Sequence, residues 1–189
     1  KITGYHPKFY NVDILDRKNL HKVFEENEFD AVIHFAGYKA VGESVSIPLT
    51  YYQNNIAGSL NLYEVMQEFG CNNLVFSSSA TVYGDDFEVP FKEAYGLGTT
   101  TNPYGTTKKF NEIILTDFAK ANQNISCVLL RYFNPIGAHE SGLLGEVPNG
   151  IPNNLVPYIA KVASGELGYL RVFGNDYPTR DGTCIRDYI

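Results

Sequence analysis

A phenol and an ammonium one helical turn apart can move a proton, and Tyr104 and Lys108 stand at that separation behind Asn102-Pro103. Positions i and i+4 share a helix face, so Lys108 is expected beside the Tyr104 phenol, favouring its ionised form. Without such help a tyrosine titrates near ~10, too high for a base at neutral pH. With 14 tyrosines in 189 residues, the Tyr-x-x-x-Lys spacing alone is a weak signal. Its surroundings strengthen it. Asn102 is a good N-cap, Pro103 suits the first helical position, and the upstream run Ser77-Ser78-Ser79 ends an apolar stretch.

Strands and helices alternate around these residues. Residues 9–13 read as a short strand, and Asp16 caps a polar helix carrying Leu20, Val23 and Phe24. Residues 31–35 read as a buried strand. Residues 49–69 read as one long helix, with Tyr52, Ile56, Leu60 and Tyr63 at helical spacing and Gly70 as its stop. The next strand is 74–78, and a loop rich in Gly and Thr, 84–101, leads to the Tyr104 helix. There Phe110, Ile113, Ile114 and Phe118 are expected to anchor the face opposite Tyr104 and Lys108. The apolar run at 127–132 reads as a strand covered on both faces of a parallel sheet. The alternation predicts an α/β fold, a doubly wound parallel sheet of Rossmann type. After Asn134-Pro135 the composition shifts to Gly, Pro and Asn. That places a cofactor-binding domain at 1–134 and part of a smaller substrate-binding domain at 135–189.

Such sheets bind ligands at the carboxyl ends of their strands. Phe35-Ala36-Gly37, Ser79 and Tyr132-Phe133-Asn134 fall there, with Tyr104 opening the intervening helix. Gly37 would let a dinucleotide approach the backbone. Read singly, Ser79 is as readily a loop-capping hydroxyl, Lys39 a solvated lysine and Asn134 a turn residue before proline.

Composition sets limits. A net charge of −6 with scattered Lys and Arg offers no basic face for nucleic acid. No apolar run approaches the roughly 18 residues of a membrane span. Cys71, Cys127 and Cys184 are too few and too far apart for a disulfide framework and suit a reducing cytoplasm. His6, His21, His34 and His139 show no ligand spacing, so no metal is expected. The sequon at Asn124-Ile125-Ser126 reads as a chance match.

Several unbroken stretches resemble a known family. They are His34-Phe35-Ala36-Gly37-Tyr38-Lys39-Ala40-Val41-Gly42-Glu43-Ser44, Ser77-Ser78-Ser79-Ala80-Thr81-Val82-Tyr83-Gly84, Asn102-Pro103-Tyr104-Gly105, Leu130-Arg131-Tyr132-Phe133-Asn134-Pro135-Ile136-Gly137-Ala138-His139, Gly150-Ile151-Pro152-Asn153-Asn154-Leu155 and Phe173-Gly174-Asn175-Asp176-Tyr177. Together they resemble the extended short-chain dehydrogenase/reductases and, within them, the enzymes that epimerise UDP-galactose and UDP-glucose at C4. The resemblance implies NAD as cofactor and Tyr104, Lys108 and Ser79 as the catalytic set. It assigns Asp13 and Ile14 to the adenine end, and Phe35, Ala36, Lys39, Asn54, Tyr132 and Phe133 to the rest of NAD. Asn134, Asn154, Leu155, Phe173 and Arg186 would hold the UDP-sugar, and a homodimer would form through the helices near 49–69 and 104–120.

The dinucleotide fold of that family opens with a Gly-x-x-Gly-x-x-Gly turn, and no such turn occurs in these 189 residues. The resemblance therefore implies an interior portion of a longer enzyme. One alternative is that these residues alone are inactive, for which nucleotide released on denaturation is the check. Another is a cofactor-sensing protein without chemistry, although such proteins usually lose the tyrosine or lysine. The third is a nucleotide-sugar 4,6-dehydratase. It would carry an Asp-Glu pair where this chain has Ala80-Thr81.

Overall fold

The structure is a computed structural model that describes residues 2–146 and 150–189. It divides into two compact units, residues 8–132 and residues 1–7 with 133–189.

In the larger unit, helix α1 (Arg17–Glu25) starts where the Asp16 carboxylate accepts the Asn19 amide at 3.1 Å, closing one of the free N–H groups of the first turn. Strand β1 (Val32–His34) and the short helix α2 (Val41–Ser46) follow. Helices α3 (Pro48–Tyr52) and α4 (Gly58–Glu68) are joined without a break by a π-helical turn, Gln53–Ala57. Gly70 ends α4 with φ +68°, a left-handed conformation that favours glycine. Strand β2 (Asn73–Ser79), a 3-10 turn (Ala80–Tyr83), helix α5 (Pro103–Ala121) and strand β3 (Ser126–Tyr132) complete the unit.

The strands form a parallel sheet in the order β1-β2-β3, with Val32 opposite Leu74 and Ser79 opposite Tyr132. Helices flank the sheet, so the layering is Rossmann-like, as the alternation predicts. Leu74 and Phe76 of β2 meet Leu62, Tyr63, Val65 and Met66 of α4, Leu115 of α5 and Phe24 of α1. Burial of each such side chain contributes about 1.5–3 kcal/mol, and this contact holds α4 and α5 to the sheet.

The structure departs from the sequence reading in four places. Residues 9–13 form no strand, and the Phe9 side chain is 86% exposed. A strand exists only as part of a hydrogen-bonded ladder, and none of the described strands pairs with these residues. The segment read as one α-helix contains the π-helical turn. Within this unit the second face of the sheet is open: Ile33, Val75 and Val128 lie side by side in register, with Ile33 and Val128 both exposed. The run at 127–132 is thus apolar without being covered twice. Finally, α5 buries Thr107, Lys108, Asn111, Glu112 and Leu115, whereas Phe110 and Ile113 are exposed. Tyr104 and Lys108 stand on the packed face, not opposite it.

The loop before α5 lies backbone against backbone on the 3-10 turn. The Gly98 amide donates to the Val82 carbonyl at 2.9 Å, and a Cβ at Gly98 would sit 1.9 Å from the Tyr83 carbonyl oxygen. Gly98→Ala is therefore expected to cost about 1–3 kcal/mol or more in denaturant unfolding. Gly96→Ala, whose Cβ would meet nothing within 4 Å, serves as the control and should change little. Equal stability of the two variants would show that the loop does not need this close approach.

In the smaller unit, helix α6 (Leu155–Ala163) follows Asn154 at its N-cap. The backbone of Asn134 pairs in parallel with Tyr188.

Candidate functional site

The carboxyl end of β2 delivers Ser77, Ser78 and Ser79 to the start of α5. Ser79 is extended, and its Oγ accepts the Thr81 amide at 3.3 Å and the Thr81 hydroxyl at 3.0 Å. Two accepted bonds leave the Ser79 hydroxyl proton to be donated elsewhere. Across from it, the Asn102 side-chain oxygen accepts the Gly105 amide at 2.8 Å, and Pro103 opens the helix. This cap fixes where α5 begins and so where Tyr104 stands.

Lys108 is 7% exposed, and its Nζ donates to the Ser77 carbonyl. The ammonium lies 4.9 Å from the Phe76 ring centroid and 5.8 Å from that of Tyr104. Burial lowers its pKa to about 8. Tyr104 does not follow the expectation of an ammonium-depressed phenol: burial raises its pKa, and the hydrogen bond with Ser79 pulls partly back. Desolvation of the phenol is the largest effect. A phenolate at neutral pH needs further positive charge in the site.

Behind this cluster lies a buried polar web centred on the π-helical turn. The Asn55 side chain accepts the Tyr38 amide at 2.8 Å and donates to the Tyr38 carbonyl at 3.0 Å and to the Thr107 hydroxyl at 3.1 Å. Thr107 in turn donates to the Tyr104 carbonyl at 2.7 Å. The Asn55 carbonyl accepts Ser59 Oγ at 2.7 Å and Asn111 Nδ2 at 2.9 Å. Two acceptances beyond the helix ladder suit a π-helical turn, where the usual bonding pattern is interrupted. His34 Nε2 lies 2.8 Å from Ser59 Oγ, and burial, with a smaller contribution from Lys108, lowers its pKa to about 4. His34 is neutral at physiological pH. Among the described residues no buried side-chain nitrogen or oxygen lacks a partner.

The remaining sequence-derived residues are placed as follows. Phe35 and Tyr132 follow or end the two outer strands, yet their rings come within 6.4 Å of each other. Gly37 has φ +154°, and a Cβ there would stand 3.1 Å from Asn55 Oδ1, so the chain after β1 lies close on the web. Ala36 and Lys39 are exposed, and Asn54 donates to Asn55 Oδ1 at 3.0 Å. The Asp13 carboxylate accepts the Leu15 amide at 2.9 Å, and the Ile14 carbonyl accepts Asn61 Nδ2 at 3.0 Å. Phe133, Asn134, Asn154, Leu155, Phe173 and Arg186 belong to the smaller unit. There Asn134 Nδ2 donates to the Asp187 carbonyl at 2.8 Å, which brings it beside the segment that carries Arg186. Asn154 and Leu155 stand together at the start of α6, and Phe173 is 79% exposed.

Sequence reasoning overlooked Thr81, Asn55, Thr107, Asn111, Glu112 and Arg131. Only Glu112 carried a legible signal: it continues the Tyr104–Lys108 face by one further turn, marking that face as polar along its length. Among the described residues no cluster of three or more His, Cys, Asp or Glu side chains could hold a metal ion, and no helix is long and apolar enough to cross a membrane.

Residues 2–189 match the family described as the NAD dependent epimerase/dehydratase family. Similar curated proteins include the UDP-glucose 4-epimerases of Neisseria meningitidis serogroup A, 63% identical over 188 residues, and of Bacillus subtilis, 59% identical over 189. Each match takes in 100% of this chain and 56% of the relative, so the chain spans little more than half their length. Among solved structures, UDP-glucose 4-epimerase from Bifidobacterium longum in complex with NAD+ and UDP superposes with a TM-score of 0.96 at 56% identity. The Stenotrophomonas maltophila enzyme with bound NAD and formylated UDP-arabinopyranose gives 0.92 at 51%. Both superpositions take in 100% of this chain and 56% of the other.

Proposed function

The chain belongs to the NAD dependent epimerase/dehydratase family, and on that premise we propose that the protein reversibly inverts C4 of UDP-galactose and UDP-glucose with NAD as a tightly held cofactor. The observation that carries the reading is the grouping of Ser79, Tyr104 and buried Lys108 at the carboxyl end of β2. Tyr104 takes the proton from the sugar 4-hydroxyl and returns it after inversion. Ser79 hydrogen-bonds the same oxygen and is oriented by Thr81. Lys108 holds the nicotinamide ribose and adds positive charge near the phenol. The chemistry supplied by bound NAD is reversible hydride storage, so a hydride lost from one face of C4 returns to the other face of a 4-keto sugar.

The residues present fit such a cofactor. Gly37 brings the chain after β1 close on Asn55, and Phe35 and Tyr132 present rings at strand ends, where parallel sheets take their ligands. Asp13 and Ile14 are assigned to the adenine end, and Phe35, Ala36, Lys39, Asn54, Tyr132 and Phe133 to the rest of NAD. Asn134, Asn154, Leu155, Phe173 and Arg186 are assigned to the UDP-sugar, with the Arg186 guanidinium suited to phosphate. A dehydratase reading is disfavoured because Ala80 and Thr81 lie in the 3-10 turn and Thr81 is spent on Ser79. A homodimer through α3–α4 and α5 is supported by exposed Leu49, Leu60, Phe110 and Ile113. The free cysteines Cys71, Cys127 and Cys184 are in keeping with a cytoplasmic protein.

The test is to purify the whole protein, identify nucleotide released on denaturation, and follow UDP-glucose formation from UDP-galactose in a coupled assay. A protein that releases no NAD and forms no UDP-glucose overturns the proposal. Thr81→Val should lower turnover roughly five- to tenfold, the ~1 kcal/mol of a lost orienting hydrogen bond, with little change in KM. Unchanged turnover would show that Ser79 is oriented without Thr81.

A further inference from the structure

We propose that Glu112 and Arg131 are positioning residues that set the geometry of Ser79 and Tyr104, rather than elements that only hold the fold together. The inference rests on the epimerase reading of the site.

Glu112 is 2% exposed, yet it carries a carboxylate on the packed face of α5. Arg131 meets it with a fork: Nε lies 3.1 Å from Oε1 and Nη2 lies 2.8 Å from Oε2. The Ser78 hydroxyl donates to the same Oε1. Ser78 and Arg131 are register partners across β2 and β3, and the next pair in the ladder is Ser79 with Tyr132. Glu112 stands one turn beyond Lys108 and two beyond Tyr104 on a single helix face. One carboxylate thus fastens β2, β3 and α5 together, at positions next to site residues on both strands and in line with them on the helix.

Arg131 extends the fastening to the loop. Its Nη1 donates to the Tyr95 carbonyl at 3.0 Å, and its guanidinium lies 4.6 Å from the Tyr83 ring centroid. Tyr83 stacks on Phe91 at 4.8 Å, and Phe87 on Tyr95 at 4.9 Å. Tyr83 closes the 3-10 turn that starts from Ser79. The guanidinium therefore holds the far end of the turn that Ser79 begins, and the loop that leads into Tyr104.

Stability does not explain this choice of residues. Taking two charges out of water costs about as much as their attraction returns, and apolar residues of similar volume often serve as well or better. What a carboxylate–guanidinium fork adds is direction: its donors and acceptors lie in one plane at fixed angles, which apolar contacts do not impose. Such precision matters where a hydroxyl and a phenol must address one substrate oxygen, because small misplacements cost large factors in rate.

The experiment uses the whole protein, after unmodified enzyme has been shown to epimerise UDP-galactose; failure at that step overturns the epimerase reading and leaves the second readout below intact. The double variant Glu112→Leu/Arg131→Met removes both charges together. It is expected to keep a thermal midpoint near that of the parent while kcat falls at least about tenfold and KM stays within about twofold. The second readout is the Cζ resonance of Tyr104 in protein labelled with 13C-tyrosine, assigned by its loss in Tyr104→Phe. It should shift in the double variant as the Ser79 hydrogen bond is lost. Arg131→Lys keeps the charge but loses the fork, so it should lower kcat in the same direction and covers the case in which the double variant fails to fold. Parental kcat with an unshifted Tyr104 resonance, in either folded variant, overturns the proposal.

Discussion

Tyr104→Phe in the whole protein is expected to reduce turnover by at least ~10²-fold, the contribution usual for a positioned acid/base group. The substitution keeps the ring, so packing beside Lys108, whose ammonium lies 5.8 Å from the ring centroid, is retained. UDP-sugar binding should therefore change little, placing the loss in kcat rather than KM. Steady-state kinetics in both directions check this. A variant that keeps more than half its turnover would remove Tyr104 from the chemistry.

Lys108→Met is expected to separate function from stability. The fall of the Lys108 pKa from 10.5 to about 8 expresses the cost of burying its ammonium, ~3 kcal/mol at most. Between those two pH values the unfolded chain binds more protons than the folded one, so this group's contribution makes the parent more stable as pH rises. The penalty is fully present below pH 8 and gone above 10.5. The methionine variant lacks it, so its stability relative to the parent should be most favourable at pH 7 and fall as pH climbs. Loss of the bond to the Ser77 carbonyl offsets part of the gain. Turnover moves the other way: it should drop at least about tenfold and recover partly at higher pH, because the phenol must then be ionised by the solvent alone. Denaturant unfolding across pH 7 to 10 and a pH–rate profile are the measurements. A stability difference that does not vary with pH, or a rate profile parallel to the parent's, would contradict the buried-cation account.

Sequence reading reached the elements that carry local signals. Asp16 and Asn102 cap the helices that their positions predict, and Gly70 stops α4 with the positive φ for which glycine is suited. The assignment of individual residues to NAD and the UDP-sugar comes from the family resemblance, not from such local signals. What sequence reading could not reach depends on partners distant in the chain. Glu112, Asn111 and Thr107 look like a solvated stripe on α5, and only Arg131, Asn55 and Tyr63 from other elements make them a buried one. Phe110 and Ile113 look like core for the same reason in reverse. The π-helical turn escaped because Tyr52, Ile56, Leu60 and Tyr63 keep helical spacing through it. Residues 9–13 have the composition of a strand, but composition cannot supply a ladder partner.

The π-helical turn between α3 and α4 has a consequence for chain length. Each residue of an α-helix advances the next by ~100°, and a π turn accommodates one residue more than an α turn over the same span. Pro48–Tyr52 and Gly58–Glu68 therefore hold a fixed rotational phase, with Tyr51 buried on one segment and Leu62, Tyr63 and Met66 on the other. Removing a single residue from Gln53–Ala57 would relax the backbone toward an uninterrupted α-helix, and because the π turn absorbs one residue in excess, α4 would keep its rotational phase. The core side chains would stay on the sheet, whereas the Asn55 carbonyl would return to the regular helix ladder and lose the geometry that receives Ser59 and Asn111. The residue in excess thus serves the polar web behind the site rather than the packing of α4.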